Sequence, residues 1–253
     1  MILFVANLIV ENPAIPVVDL GFAISATAAN AKQHFRKMQE VIKTFIDKYG
    51  SHRIAYSVLT FGSTPTIRVR FSDSANSDEV LKQSVENIPQ NPGNASLAKA
   101  LEGAEDLFKA SNGARDDAVK VLVVITDKKS VSMAHDVKKA AEIFDEKDIR
   151  VIGIALGEEV DGELVDVTDI KGDVINTTDS SSPAKIAEDV MKRLLDSKCC
   201  KLMFLSLVTR QETLRSFDNS VRATHFQEHF CRFLYSNSSF NSNESPTFPH
   251  LAN

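Results

Sequence analysis

The sequence predicts an α/β fold: a doubly wound, mostly parallel central sheet with one antiparallel edge strand and helices on both faces. Two observations carry that expectation. Short apolar runs alternate along the chain with amphipathic stretches of helical period, and the order strand, helix, strand repeats. Parallel neighbours need crossovers, and helical crossovers cover both faces of the sheet with one hand. A chain of 253 residues, 43% of them hydrophobic, is long enough to bury one such core.

The elements follow in order. Val17-Val18-Asp19-Leu20-Gly21-Phe22-Ala23-Ile24 is an apolar run suited to a central strand buried on both faces. Phe35, Met38, Val41, Ile42, Phe45 and Ile46 then recur at three- and four-residue steps, a helix with one apolar stripe that stops at Tyr49-Gly50. Residues 54–61 read as a second strand. Residues 66–71 alternate Ile67, Val69 and Phe71 with Thr66, Arg68 and Arg70, the pattern of a half-exposed edge strand reached through a hairpin at 62–65. A short helix over 78–88 is broken by Pro89, Pro92 and Gly93, and a second helix is expected over 96–110. Further strands at 119–126 and 150–156 flank an amphipathic helix at 133–144. A short helix at 162–167, a short strand at 173–176 and a helix at 182–195 close the domain, with Ser182 as N-cap and Pro183 in the first helical position.

Residues 17–196 are therefore read as one domain. Residues 1–16 are an N-terminal segment, part of a signal or a linker: Met1–Val10 is apolar but lacks a basic start and a small-residue cleavage site. Residues 197–253 are read as an irregular, disordered tail, rich in Ser, Asn and Pro from Ser236 onward.

Composition excludes several functions. With 29 Lys and Arg against 34 Asp and Glu, the net charge is −5, which disfavours nucleic acid and anionic lipid as partners. No apolar stretch is long enough to span a bilayer, so membrane insertion is not expected. The first strand runs into Ser25-Ala26-Thr27-Ala28-Ala29 without the glycines of a phosphate loop, and no Gly-x-Ser-x-Gly elbow occurs. His34, His52 and His135 lack zinc spacing; His34 and His135 are read as lying on helix surfaces. All three cysteines, Cys199, Cys200 and Cys231, fall near the C-terminal end, so none can staple the domain, and Cys199 or Cys200 is open to pairing with Cys231 or with another chain.

Three segments, taken together, carry a family resemblance: Val18 to Thr27, Gly93-Asn94-Ala95-Ser96-Leu97-Ala98-Lys99-Ala100-Leu101, and Val121-Leu122-Val123-Val124-Ile125-Thr126-Asp127. In this order they resemble the von Willebrand factor type A (VWA) domain, a Rossmann-like fold, over about residues 17–195. The resemblance implies a metal-ion-dependent adhesion site at the carboxyl ends of the strands. There an Asp-x-Ser-x-Ser sequence, a loop Thr and a third-loop Asp hold magnesium through oxygen ligands, with an open position for a partner. Carried onto this chain, the first Asp falls on Ser25, the first Ser on Thr27, the second Ser on Ala29 and the Thr on Ala95; Asp127 alone keeps the family's identity. Asp19 is the rejected alternative for the first Asp, because it begins the strand instead of ending it.

The site is thus read as degenerate. No metal or other cofactor is expected beyond weak magnesium binding by the residual candidates Ser25, Thr27 and Asp127. The same loops still lie where open α/β sheets place ligands, and Ser25, Thr27, Asn94, Ser96, Asp127 and Lys128 are the candidate partner-binding residues. Asn94 also begins an Asn-x-Ser triplet, as Asn176, Asn237 and Asn243 begin Asn-x-Ser/Thr matches. The resemblance implies a non-enzymatic, secreted interaction module for adhesion or matrix assembly. It would bind a matrix or cell-surface protein, in tandem with other domains or in a disulfide-linked assembly through Cys199 or Cys200. The alternative is an assembly module of an intracellular complex.

Overall fold

A computed structural model describes residues 17–27, 32–90, 94–156, 161–168, 173–178 and 180–195. The N-terminal segment, the tail, all three cysteines and Ala29 lie outside the described residues.

Six strands form one sheet in the order β3-β2-β1-β4-β5-β6. They are β1 (Val18–Ser25), β2 (Ile54–Phe61), β3 (Thr66–Val69), β4 (Val119–Thr126), β5 (Ile149–Leu156) and β6 (Val174–Thr177). β3 is antiparallel to β2, and every other pairing is parallel. The helices are α1 (Lys32–Tyr49), α2 (Asp78–Glu86), α3 (Leu97–Glu105), α4 (Ala134–Glu146), α5 (Asp161–Val165) and α6 (Pro183–Leu195). The expected fold class is the observed one.

β1 sits between β2 and β4, Val18 opposite both Ile54 and Val119, and all eight of its residues are buried. That position explains the unbroken apolar run, since a strand with helices over both faces has no solvent side on which to place polar residues. On one face the α1 stripe Phe35, Met38, Val41, Ile42, Phe45 and Ile46 is buried, and Phe45 meets Phe22 edge-on at 5.6 Å between ring centres. Each such side chain taken from water contributes about 1.5–3 kcal/mol. α1 ends where Gly50 turns left-handed, with φ 63°. Its amide bonds Ile46 O at 2.9 Å, and the buried Tyr56 hydroxyl donates to Phe45 O and Gly50 O at 3.2 and 3.0 Å, satisfying carbonyls the helix end leaves over. Burial pushes the Tyr56 phenol pKa upward, which keeps it a donor.

On the other face small residues of α3, Ala100 and Ala104, pack with Leu101, Val137, Phe144 and Leu164. Of the boundaries that differ from the sequence reading, two have a cause in packing. The helix expected over 96–110 ends at Glu105 and gives way to two short 3-10 turns, 106–108 and 110–112. The first turn drives Leu107 and Phe108 against Gly21, where a Cβ would stand 3.2 and 3.1 Å from them. Tertiary packing at that glycine therefore outweighs helix propensity. The edge strand stops at Val69 because the buried Phe71 starts a 3-10 turn, Phe71–Ala75, and stacks at 5.5 Å on Phe108.

At the amino end of the sheet, Asp19 is fully buried with both of its oxygens bonded. Arg115 gives it a backbone N–H at 2.6 Å and its Nε at 2.8 Å, while the same guanidinium reaches Val18 O at 2.6 Å. Asp19 is a structural clamp, at the opposite end of the sheet from the loops that concern function.

Candidate partner-binding site at the carboxyl ends of the strands

Parallel register brings the ends of β1 and β4 side by side, Ile24 opposite Ile125, so the residues that follow, Ser25 to Thr27 and Asp127, share one end of the sheet. Ser25 and Thr27 are buried and engaged within the fold. Asp127, directly after β4, has a side chain only 1% exposed.

The carboxylate of Asp127 is met by His34. Its Oδ2 lies 3.0 Å from His34 Nδ1, a contact across 93 residues of chain. An ionised carboxylate only accepts, so the ring donates from Nδ1. The other oxygen, Oδ1, is buried and has no hydrogen-bond partner among the described residues. Burial accordingly raises the pKa of Asp127, with the His34 hydrogen bond opposing it.

The surface position read for His34 is therefore corrected: its side chain is 20% exposed and turned onto Asp127. The sequence held a signal for this. His34 stands four residues before buried Met38 and eight before buried Ile42, at the head of the α1 stripe, where a side chain points into the fold. His135 is exposed as expected.

Asn94 and Lys128 are exposed on the rim. Thr126 Oγ1 donates to Lys128 O at 2.9 Å and closes the turn that follows β4. Ser96 caps α3, its Oγ accepting from Lys99 N. It also lies 3.1 Å from Ser132 Oγ, in a network that the sequence reading missed. Ser130 Oγ accepts from Leu97 N at 2.9 Å, Ser132 Oγ from Ala98 N at 3.1 Å, and Val131 N donates to Ala95 O at 3.0 Å. Ser130 N is in turn held by Glu163 at 2.8 Å. The loop after β4 thus satisfies the first amides of α3, and the two loops are stitched into one platform.

That stitching has a consequence for Val131 and Met133. Ser130 and Ser132 turn inward, so their neighbours turn outward, and Val131 and Met133 are 66% and 74% exposed. Met133, counted in the sequence as the first residue of the helix, precedes α4 instead. Both border a cleft of about 670 Å³ between α3 and α4, with Ser96, Lys99 and Asp136 among its other walls. The alternation Ser130-Val131-Ser132-Met133 was the available signal.

The donors present do not fit a magnesium ion. Magnesium requires near-octahedral oxygen ligands with enough negative charge to repay its dehydration. Here the one carboxylate is half occupied by an imidazole, Ser25 and Thr27 carry neutral hydroxyls, and buried Ala95 has no side-chain oxygen. Among the described residues no group of three or more His, Cys, Asp and Glu is placed to hold a metal, and no helix is long and apolar enough to cross a membrane.

The family model for the von Willebrand factor type A domain matches residues 19–192. Similar proteins include the mouse collagen alpha-4(VI) chain, 22% identical over 194 residues, which covers 76% of this chain and 8% of the collagen. Another is mouse integrin alpha-M, 28% identical over 110 residues, covering 43% of this chain and 10% of the integrin. The chain thus spans a small part of the relatives it matches. Among solved structures, mussel byssus proximal thread matrix protein 1, described with a zinc-occupied MIDAS motif, shares the fold at a TM-score of 0.63 and 19% identity. That match covers 70% of this chain and 48% of the mussel protein.

Proposed function

The chain belongs to the von Willebrand factor type A domain family, and we propose that it is a non-catalytic module that binds a matrix or cell-surface protein through the platform at the carboxyl ends of its strands. The observation that carries this reading is the exposed pair Val131 and Met133, held outward by Ser130 and Ser132 beside Ser96. Exposed apolar side chains on a rigid polar frame are the usual anchors of a protein interface, and methionine adapts to the shape it meets. Because the frame is already ordered, binding loses little entropy in fixing loops.

The collagen and integrin relatives support an adhesive, extracellular setting. The poor donor set at Asp127 supports contact without an obligatory metal. The whole-protein context, whether tandem domains or links through Cys199 or Cys200, belongs to the same proposal.

The test is capture of a matrix protein by the immobilised full chain, with and without a chelator. Capture survives chelation, and Val131→Asp with Met133→Asp weakens it by roughly tenfold or more, as loss of a central anchor does. Capture abolished by chelator, or untouched by the double substitution, overturns the reading.

A further inference from the structure

We infer that His34 is the residue that closes the carboxyl-end site to divalent cations, its imidazole standing on Asp127 as an internal occupant. This deepens the proposed metal-independent contact and rests on it. Three observations carry it. His34 Nδ1 is 3.0 Å from Asp127 Oδ2, in a contact between the first turn of α1 and the end of β4 that only the folded chain can make. The Asp127 side chain is 1% exposed, so an oxygen already bonded to an imidazole is shielded from incoming ions. And the features of the site go together: Ala95 supplies no side-chain oxygen and Ser25 no charge, while the one carboxylate is bonded to a protein donor.

Chemistry links these features. A carboxylate left buried after its cation is gone needs another partner, because an uncompensated charge out of water is far more costly than a hydrogen-bonded one. An N–H from the first turn of α1 is the partner the fold supplies. It is directional and satisfies one oxygen, whereas a metal would engage the shell around it; the second oxygen, Oδ1, is correspondingly left without a partner among the described residues. His34 therefore excludes metal by occupation as well as by the absence of ligands. Restoring ligands alone does not reopen the site.

The full chain is titrated calorimetrically with Mn²⁺ alone as the probe, in four forms: unaltered, Ser25→Asp with Ala95→Thr, the same pair with His34→Ala, and the same pair with His34→Gln. The unaltered chain and the pair give no saturable heat. Adding His34→Ala brings saturable binding, at least roughly tenfold tighter than the weakest affinity the titration of the pair could have detected, the scale on which residues around a metal ligand act. Gln, which still carries an N–H toward Asp127, returns the site toward the closed state. Circular dichroism verifies that each form is folded. Where the paired substitutions fail to fold, Ala95→Thr with and without His34→Ala is read by Mn²⁺ broadening of the Thr27 and Lys128 amide resonances, present with His34→Ala and absent without it.

Saturable Mn²⁺ binding by the unaltered chain, equal binding with and without His34, or no binding in any form each overturns the inference. None of these outcomes touches Val131 or Met133, so partner capture fails or succeeds independently of this titration.

Discussion

Asp19 and Asp127 are buried at opposite ends of neighbouring strands, and the fold treats them differently. Asp19, at the start of β1, has both oxygens bonded by Arg115, through side chain and backbone. Asp127, just past β4, has one oxygen bonded by His34 and the other unpartnered among the described residues. A carboxylate with both oxygens answered is part of the frame. One that is answered only in part marks a place where structure has been adapted to, or left over from, a task. The amino end of this sheet is thus built for stability, while the carboxyl end is the end at which open α/β sheets place ligands.

The largest effect is expected at the frame. Arg115→Ala removes the guanidinium and leaves buried Asp19 only the backbone N–H of residue 115, at a cost of up to about 3–5 kcal/mol, the scale for breaking a buried pair from one side. Urea denaturation reads it directly. A loss no greater than that of an exposed ion pair would mean that Asp19 is not the clamp the geometry makes it.

Gly113 delivers Arg115 to that clamp and gives a smaller effect. It closes the turn at 110–112 with φ 84°, and a Cβ there would lie 2.4 Å from Ser72 N. Gly113→Ala therefore meets backbone strain and a collision together, at a cost of about 1–3 kcal/mol. The same denaturation series ranks it below Arg115→Ala. If it ranks above, the turn and not the ion pair holds the amino end.

The same contrast shows how far the sequence could be read. The frame was legible because periodicity records burial: the unbroken run of β1, the α1 stripe and the strand–helix rhythm each follow from which faces meet water. Placing Asp19 at the start of a strand was enough to remove it from the metal site. Boundaries failed where packing overrode local preference, at Phe71 and at the turn that lays Phe108 on Gly21. At the carboxyl end the family pattern identified what was missing, Ser25 and Ala95 in place of ligands, but not what had replaced it. His34 meets Asp127 across 93 residues, and Ser130 and Ser132 cap a helix that begins more than thirty residues before them. Contacts of that range have no local period. Only the position of His34 at the head of the apolar stripe hinted at its orientation.

The smallest effect is expected at Asp127 itself, and its sign is opposite to that at Asp19. Asp127 has a raised pKa in the folded chain because burial penalises its charge. A carboxyl group of that kind favours folding fully below its ordinary value of 3.8, where folded and unfolded chains both hold the proton, and loses that contribution as pH rises through the folded value. At neutral pH the buried charge is therefore a burden offset in part by His34. Asp127→Asn removes the charge while keeping an oxygen for His34 Nδ1, so it changes stability by no more than about 1 kcal/mol. Relative to the parent, the variant gains as pH rises from the region of 3.8 toward neutrality. Urea midpoints of the two chains, compared at several pH values across that range, check the trend. A variant that loses ground as pH rises would show that the ionised carboxylate is as well satisfied as Asp19, and the contrast between the two ends of the sheet would fail at its weaker side.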